Sequence, residues 1–377
     1  MKSSELALNP WHERASPLAR AAWVVYALLL AYSGLAPWTG WRDLGLQPFA
    51  YLAAPIPRHI TTFDLVVNVL AYIPFGALLV LSLHPRVKGY AAVLIALLAG
   101  VLLAGAIEAL QGYLPARISS NVDLVTNAAG ALLGAVLAAP LASGLIDRGR
   151  LADWRLRWFE RESSTLLLLV VLWPGAQIFP EPMLFGNGEV RGAMGDFVAA
   201  LGGTWPMLDA ALFGPAEFVL AEAFVVASAV LAVGLAFATA MRPTAPRSLL
   251  LLALLGAALL AKMLAHAVQF GPERAFAWLT PGAYGGLAIG TLSLLAASAG
   301  PRPWLPRFGL LALAALIVCV NIVPDNPYYT AAMQEWRQGA LLNFNALARW
   351  LSVLWPYALA LWLLFESARI GGRRTAM

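Results

Sequence analysis

Two short polar pairs interrupt otherwise apolar stretches early in the chain, and a third pair follows them. Asp64 and Asn68 are four residues apart, Glu108 and Gln111 three apart, and Asp123 and Asn127 four apart. At these spacings each pair shares one face of a helix. Ionisable groups inside a bilayer are costly and usually have a purpose. Carboxylates there can accept protons or anchor a cation, carboxamides can orient a ligand, and Arg117, between the second and third pairs, can engage a phosphate or carboxylate. Arg58 and His59 precede the first pair. Taken singly, each carboxylate reads as a helix-holding ion pair, or, for Asp64 and Asp123, as a helix cap. Taken together they read as a binding or catalytic site.

The elements that must position them are transmembrane helices. Of 377 residues, 60% are hydrophobic and only 12% charged, more apolar surface than one soluble core can hide. Apolar runs of bilayer-crossing length recur near 20–36, 63–83, 90–110, 122–141, 164–180, 216–240, 248–269, 277–298, 307–323 and 350–367. The expected fold is an all-α polytopic membrane protein of about ten spans. Pro37 after Leu35-Ala36 disfavours cleavage, so the first span is expected to be a retained anchor and not a signal peptide. The expected organisation is a four-helix unit over 1–141, a basic amphipathic cytoplasmic linker over 142–163, a second membrane unit over 164–299 and a two-helix extension over 300–377. In the linker, Leu151, Trp154, Trp158 and Phe159 recur at helical spacing among arginines, a pattern suited to an anionic leaflet or to simple anchoring. Residues 181–215 read as a long outer loop, Pro324–Tyr329 as a turn, and the stretch from Leu341 through Phe344 and Leu347 to Trp350 as interfacial.

Positive charge orients the chain. With the N-terminus inside, cytoplasmic segments hold 17 Lys and Arg and outer segments 7, which predicts N-in and C-in. All three polar pairs then fall at one depth, near the outer interface, as a pocket opening outward. Gly130 and Gly134 continue the stripe of Asp123 and Asn127 and let a neighbouring helix approach closely. Pro74 should kink the second span.

The run Asn68-Val-Leu-Ala-Tyr-Ile-Pro-Phe-Gly76, then Glu108-Ala-Leu-Gln111, Arg117 and Asp123-Leu-Val-Thr-Asn127-Ala-Ala-Gly130 with Gly134 resembles the VanZ-like family in order and spacing, over about residues 20–141. The resemblance implies a multi-pass protein of the bacterial cytoplasmic membrane with a cell-envelope role, linked in the family to resistance to the glycopeptide teicoplanin. It supplies no reaction. The second half carries a fainter echo. His266-Ala-Val-Gln269, Arg274, Gly286/Gly290 and Glu222 lie 158, 157, 156 and 154 residues beyond Glu108-Ala-Leu-Gln111, Arg117, Gly130/Gly134 and Asn68, consistent with a degenerate parallel repeat or with chance similarity among Ala- and Gly-rich helices.

Three functions remain open. One is a binder of membrane lipid, lipid-linked cell-wall precursor or amphiphilic antibiotic at the outer leaflet, through Asn68, Glu108, Gln111, Arg117, Asp123 and Asn127, with Arg58, His59, Asp64, His266, Gln269 and Arg274 as secondary candidates. The others are a lipid or precursor flippase and an enzyme on a lipid-linked substrate with Glu108 and Asp123 as acid and base. No cofactor is expected. Four histidines and one cysteine, Cys319, make a zinc site or disulfide framework improbable. No Gly-x-Ser-x-Gly elbow is present, and the net charge of +5 is a matter of topology and not of nucleic acid.

Overall fold

The computed structural model describes residues 17–35, 40–45, 47–56, 62–146, 156–324 and 342–375. Among these the fold is all helical, with no strand beyond an isolated bridge between Phe159 and Met241. Arg58, His59, Leu151, Trp154 and Leu341, and the expected turn from residue 325 to 329, lie outside the described residues. Internal contacts divide the chain into two compact units, Met1–Arg155 with Gly339–Leu347 and Leu156–Gln338 with Ala348–Met377.

In unit 1, α1 spans Pro17–Gly34, α2 Thr62–Leu83, α3 Gly89–Gln111 and α4 Asn121–Ile146. Small residues set the spacing of α2 and α4. A methyl group on Gly130 would stand 2.3 Å from the Val69 carbonyl oxygen, and one on Gly134 1.9 Å from that of Ile73. Gly76 reciprocates on α2, 1.9 Å from the Ala131 oxygen. Only glycine permits backbones this close, and close approach is the main source of helix association in lipid. Tyr72 and Phe75 fill the interior between Ala96, Ala104, Ala131 and Ala135. Pro74 sits inside α2, where neighbouring helices make a missing N–H tolerable. The segment before α2 folds over the ends of α3 and α4: Tyr51 donates to the Gly105 carbonyl at 3.2 Å and Asn121 to that of Ala54 at 2.7 Å.

Unit 2 contains α5 Ser164–Ala176, α6 Arg191–Ala200, α7 Pro215–Ala240, α8 Arg247–Phe270, α9 Pro281–Ser298, α10 Leu305–Ile322 and, from Ala348 on, α11 Leu342–Thr375. Helix α7 is the axis, buried along most of its length and flanked by α9 and α10. Its packing on α9 repeats the device of unit 1. A methyl on Gly286 would meet the Ala223 oxygen at 2.6 Å, and one on Gly290 the Ala227 Cα at 2.8 Å. Thr280 caps α9 by accepting from the Ala283 N–H at 3.1 Å, and Pro281 follows at the first helical position, as this residue order favours.

Seven helices are long and apolar enough to cross a membrane: Asp64–Leu83, Gly89–Gln111, Asn121–Ala142, Pro215–Ala240, Arg247–Phe270, Arg302–Ile322 and Ala348–Arg369. The protein is thus a multi-pass membrane protein. The other expected spans fall on the shorter apolar helices Ala19–Gly34 and Ser164–Ala176 and on the glycine-rich, 18-residue α9.

Two stretches differ from the expected loops. The start of the expected outer loop is packed inside unit 2, with Met183, Leu184 and Phe185 in its core. Its backbone is tolerable there because buried amides pair it. Asn321 accepts from the Val190 N–H at 2.8 Å, Asn187 donates to the Ala176 carbonyl at 3.1 Å and to the Ser352 hydroxyl at 2.6 Å, and that hydroxyl donates to Glu181 at 2.5 Å. In the basic linker, Phe159 is buried and stacks on Phe237 at 5.7 Å between ring centroids. That ring is therefore held by the protein interior and not offered to a leaflet.

Candidate functional site

Five of the six residues of the polar pairs in unit 1 line one cavity, Asp64 being the exception. A cavity of about 40 Å³ is lined by Asn68 on α2, Glu108 and Gln111 at the end of α3, Asp123 and Asn127 at the start of α4, and Ser33 at the end of α1. Tyr72, Leu30, Val67 and Ile107 complete the wall. At roughly 10–15 Å³ per water-sized site, the space takes a few waters or the tip of a polar group.

Four of the polar lining side chains, Asn68, Glu108, Gln111 and Asp123, are placed by traceable contacts. Asn68 donates to Asp123 at 3.0 Å, tying α2 to α4. The Ser120 N–H donates to Glu108 at 2.8 Å, and the Ser119 hydroxyl donates to the Glu108 carbonyl at 2.7 Å. Ser120, and not Asp123, is the cap of α4: its hydroxyl accepts from the N–H groups of Val122 at 3.2 Å and Asp123 at 3.3 Å. The capping role considered for Asp123 is therefore filled, and its carboxylate is available to Asn68 and the cavity. Gln111 donates to the Gly34 carbonyl at 2.9 Å, fixing the end of α1.

Two lining atoms, Asn127 Oδ1 and Ser33 Oγ, are buried and have no partner among the described residues. Buried polar groups are normally satisfied, so these atoms mark where a water or ligand group would bond. The lining carries two carboxylates and no cationic side chain.

Arg117 is not part of the lining. It lies in the connection between α3 and α4, half buried, with its guanidinium 3.5 Å from the Ser33 carbonyl. Burial pushes its pKa down, and the nearby Glu108 charge acts against that shift. Asp64, one helical turn before Asn68, is also outside the lining. His266 and Arg274 border a separate cavity in unit 2, and Gln269 donates to the Ile178 carbonyl at 2.8 Å. Sequence reasoning missed Ser33, the only serine in α1. Its one visible signal was that isolation. Among the described residues, no three His, Cys, Asp or Glu side chains are grouped to hold a metal ion.

Residues 22–143 match the model of the VanZ/LLP1 family. This segment, about a third of the chain, is similar to that family. The match covers α1 to α4, the helices that carry every side chain of the cavity lining. Comparison with curated proteins and with solved structures found no match.

Proposed function

We propose that the VanZ-like unit binds the polar head of an amphiphile at the non-cytoplasmic face of a bacterial cytoplasmic membrane. The ligand class is an envelope lipid, a lipid-linked cell-wall precursor or an amphiphilic antibiotic such as a glycopeptide. The single observation that carries this reading is the buried, unpartnered pair Asn127 Oδ1 and Ser33 Oγ in a cavity also lined by Glu108 and Asp123. Such a lining is rich in hydrogen-bond acceptors, so it suits a head group rich in hydroxyl or amino donors. The tail of the amphiphile would lie along the apolar helix surfaces. In this reading Arg117 steadies the end of α1 through Ser33 and meets any anionic group carried beside the donors.

The accompanying topology is N-in and C-in with ten crossings, α1, α5 and α9 adding to the seven long helices. Its support is the excess of Lys and Arg in alternate segments.

The test is native mass spectrometry of the full-length protein released from its own membrane, beside Asp123→Asn and Asn127→Leu. The expected result is a co-purifying hydroxyl- or amino-rich amphiphile on the wild type that is lost from both variants. Identical bound species on all three proteins, or none on the wild type, would overturn the reading.

A further inference from the structure

Unit 2 has a cavity of its own, about 90 Å³, between α7, α8 and the start of α9. It arises from the same framework as the VanZ-like cavity. Asn68 precedes Val69, whose carbonyl lies under Gly130, and Glu222 precedes Ala223, whose carbonyl lies under Gly286. Gln111 at the end of α3 and Gln269 near the end of α8 each donate to a carbonyl at or just past the end of an earlier helix, Gly34 of α1 or Ile178 after α5. Three residues before them stand Glu108 and His266. The framework is shared, but the chemistry on it differs.

Three features of this cavity point to a ligand. His266 is 7% exposed and lines the space, and neither of its ring nitrogens has a partner among the described residues. Glu222 is 8% exposed and accepts from the Thr280 hydroxyl at 2.5 Å, but it makes no ion pair with any described residue. The second lining carboxylate, Glu181, has the Ser352 hydroxyl and the charge of Lys262 nearby, whereas Glu222 is held by hydrogen bonds alone among the described residues, with Arg274 farther out in the lining. The rings of Phe270 and Trp278 also line the cavity, and the indole N–H is already spent on the Ala275 carbonyl at 2.7 Å. A buried carboxylate, an imidazole lone pair and aromatic surface are what a small cation with N–H donors requires.

We propose that this cavity is a binding site for a primary ammonium group. The ammonium donates to Glu222 and to the unprotonated ring nitrogen of His266, against Phe270 and Trp278. Arg274 is exposed and borders the same cavity. The site is separate from the VanZ-like cavity, and the proposal holds or fails independently of the reading given to that one.

The experiment uses the full-length protein in nanodiscs, with native mass spectrometry of retained lipid as the readout. Ethanolamine-headed and glycerol-headed phospholipids of identical chains are offered in equal amounts. The expected result is at least a tenfold preference of the wild type for the ethanolamine head, lost in Glu222→Gln and in His266→Phe. Asp196→Asn, which removes an exposed carboxylate from α6, should keep the preference. Free ethanolamine is then added to the wild type, which needs no variant to fold. Displacement of the bound lipid by ethanolamine but not by glycerol identifies a site open to soluble amines. Ethanolamine-head preference without displacement identifies the lipid as the source. Equal retention of both heads together with no effect of free ethanolamine, or a preference unchanged in both cavity variants, overturns the proposal.

Discussion

Substituting Gly134 by alanine tests the idea that direct backbone contact between α2 and α4 builds the VanZ-like cavity. The added methyl would lie 1.9 Å from the Ile73 carbonyl oxygen, 2.7 Å from its carbon and 3.0 Å from its Cα. These are backbone atoms, so no rotamer change relieves the clash. An ordinary carbon–oxygen contact is about 3.3 Å, so the helices must separate by about 1.4 Å. The Asn68–Asp123 hydrogen bond, 3.0 Å long, crosses the same interface and would be broken by that movement. Overpacking typically costs about 1–3 kcal/mol, and a hydrogen bond to a charged group about 1.5–3 kcal/mol. At roughly 2–4 °C per kcal/mol for a domain of this size, melting of the purified protein should fall by several degrees. The control is Gly256→Ala in α8, where nothing lies within 4 Å of the added methyl. Removing a glycine from an open helix position should hold or slightly raise stability. Differential scanning fluorimetry in one detergent compares the three proteins. If Gly134→Ala melts with the wild type, the helices are not held at backbone contact and the account of the cavity fails.

Gln111→Leu should destabilise the protein by about 1–3 kcal/mol, because it leaves the Gly34 carbonyl without its donor; hydrogen exchange at the end of α1 should rise, and unchanged protection there would refute the assignment. Glu181, outside the membrane-spanning helices, has its pKa pushed up to about 7 by burial. A raised carboxyl pKa means that the folded state holds the proton more tightly than the unfolded chain. Its contribution to stability is full below the ordinary value near 4.5 and is lost as pH rises through about 7. Melting temperature should therefore decline between pH 5 and pH 8 in the wild type and decline less in Glu181→Gln, and parallel profiles would count against this.

The membrane class was legible in the sequence because apolar runs of bilayer length are a local property. So was the grouping of Asn68, Glu108, Gln111, Asp123 and Asn127, since helical spacing fixes the face and alternating direction of travel fixes the depth. The family pattern added the order of these residues. Sequence could not say which polar groups enter the cavity and which stop beside it. Arg117 turned to the Ser33 carbonyl, and Ser120 took the cap that Asp123 was free to fill. Such choices depend on which backbone groups lie within about 3 Å, and periodicity carries no such distance.

Unit 2 makes the same point more strongly. The faint echo of spacing is open to either reading, repeat or chance, and only the structure shows that Gly286 meets Ala223 and Gln269 meets Ile178 in contacts like those of Gly130 and Gln111. The Gly-rich stretch after α5 read as an outer loop because its composition is that of a loop. Its first residues, 181–188, are largely buried because Ser352, 171 residues from Glu181, and Asn321 satisfy polar groups there from other helices. The sequence by itself determined the helices, their apolar surfaces and the polar residues at their ends. Tertiary structure alone decided which of those residues share a cavity, because that depends on glycine-mediated helix approach and on hydrogen bonds between residues far apart in the chain.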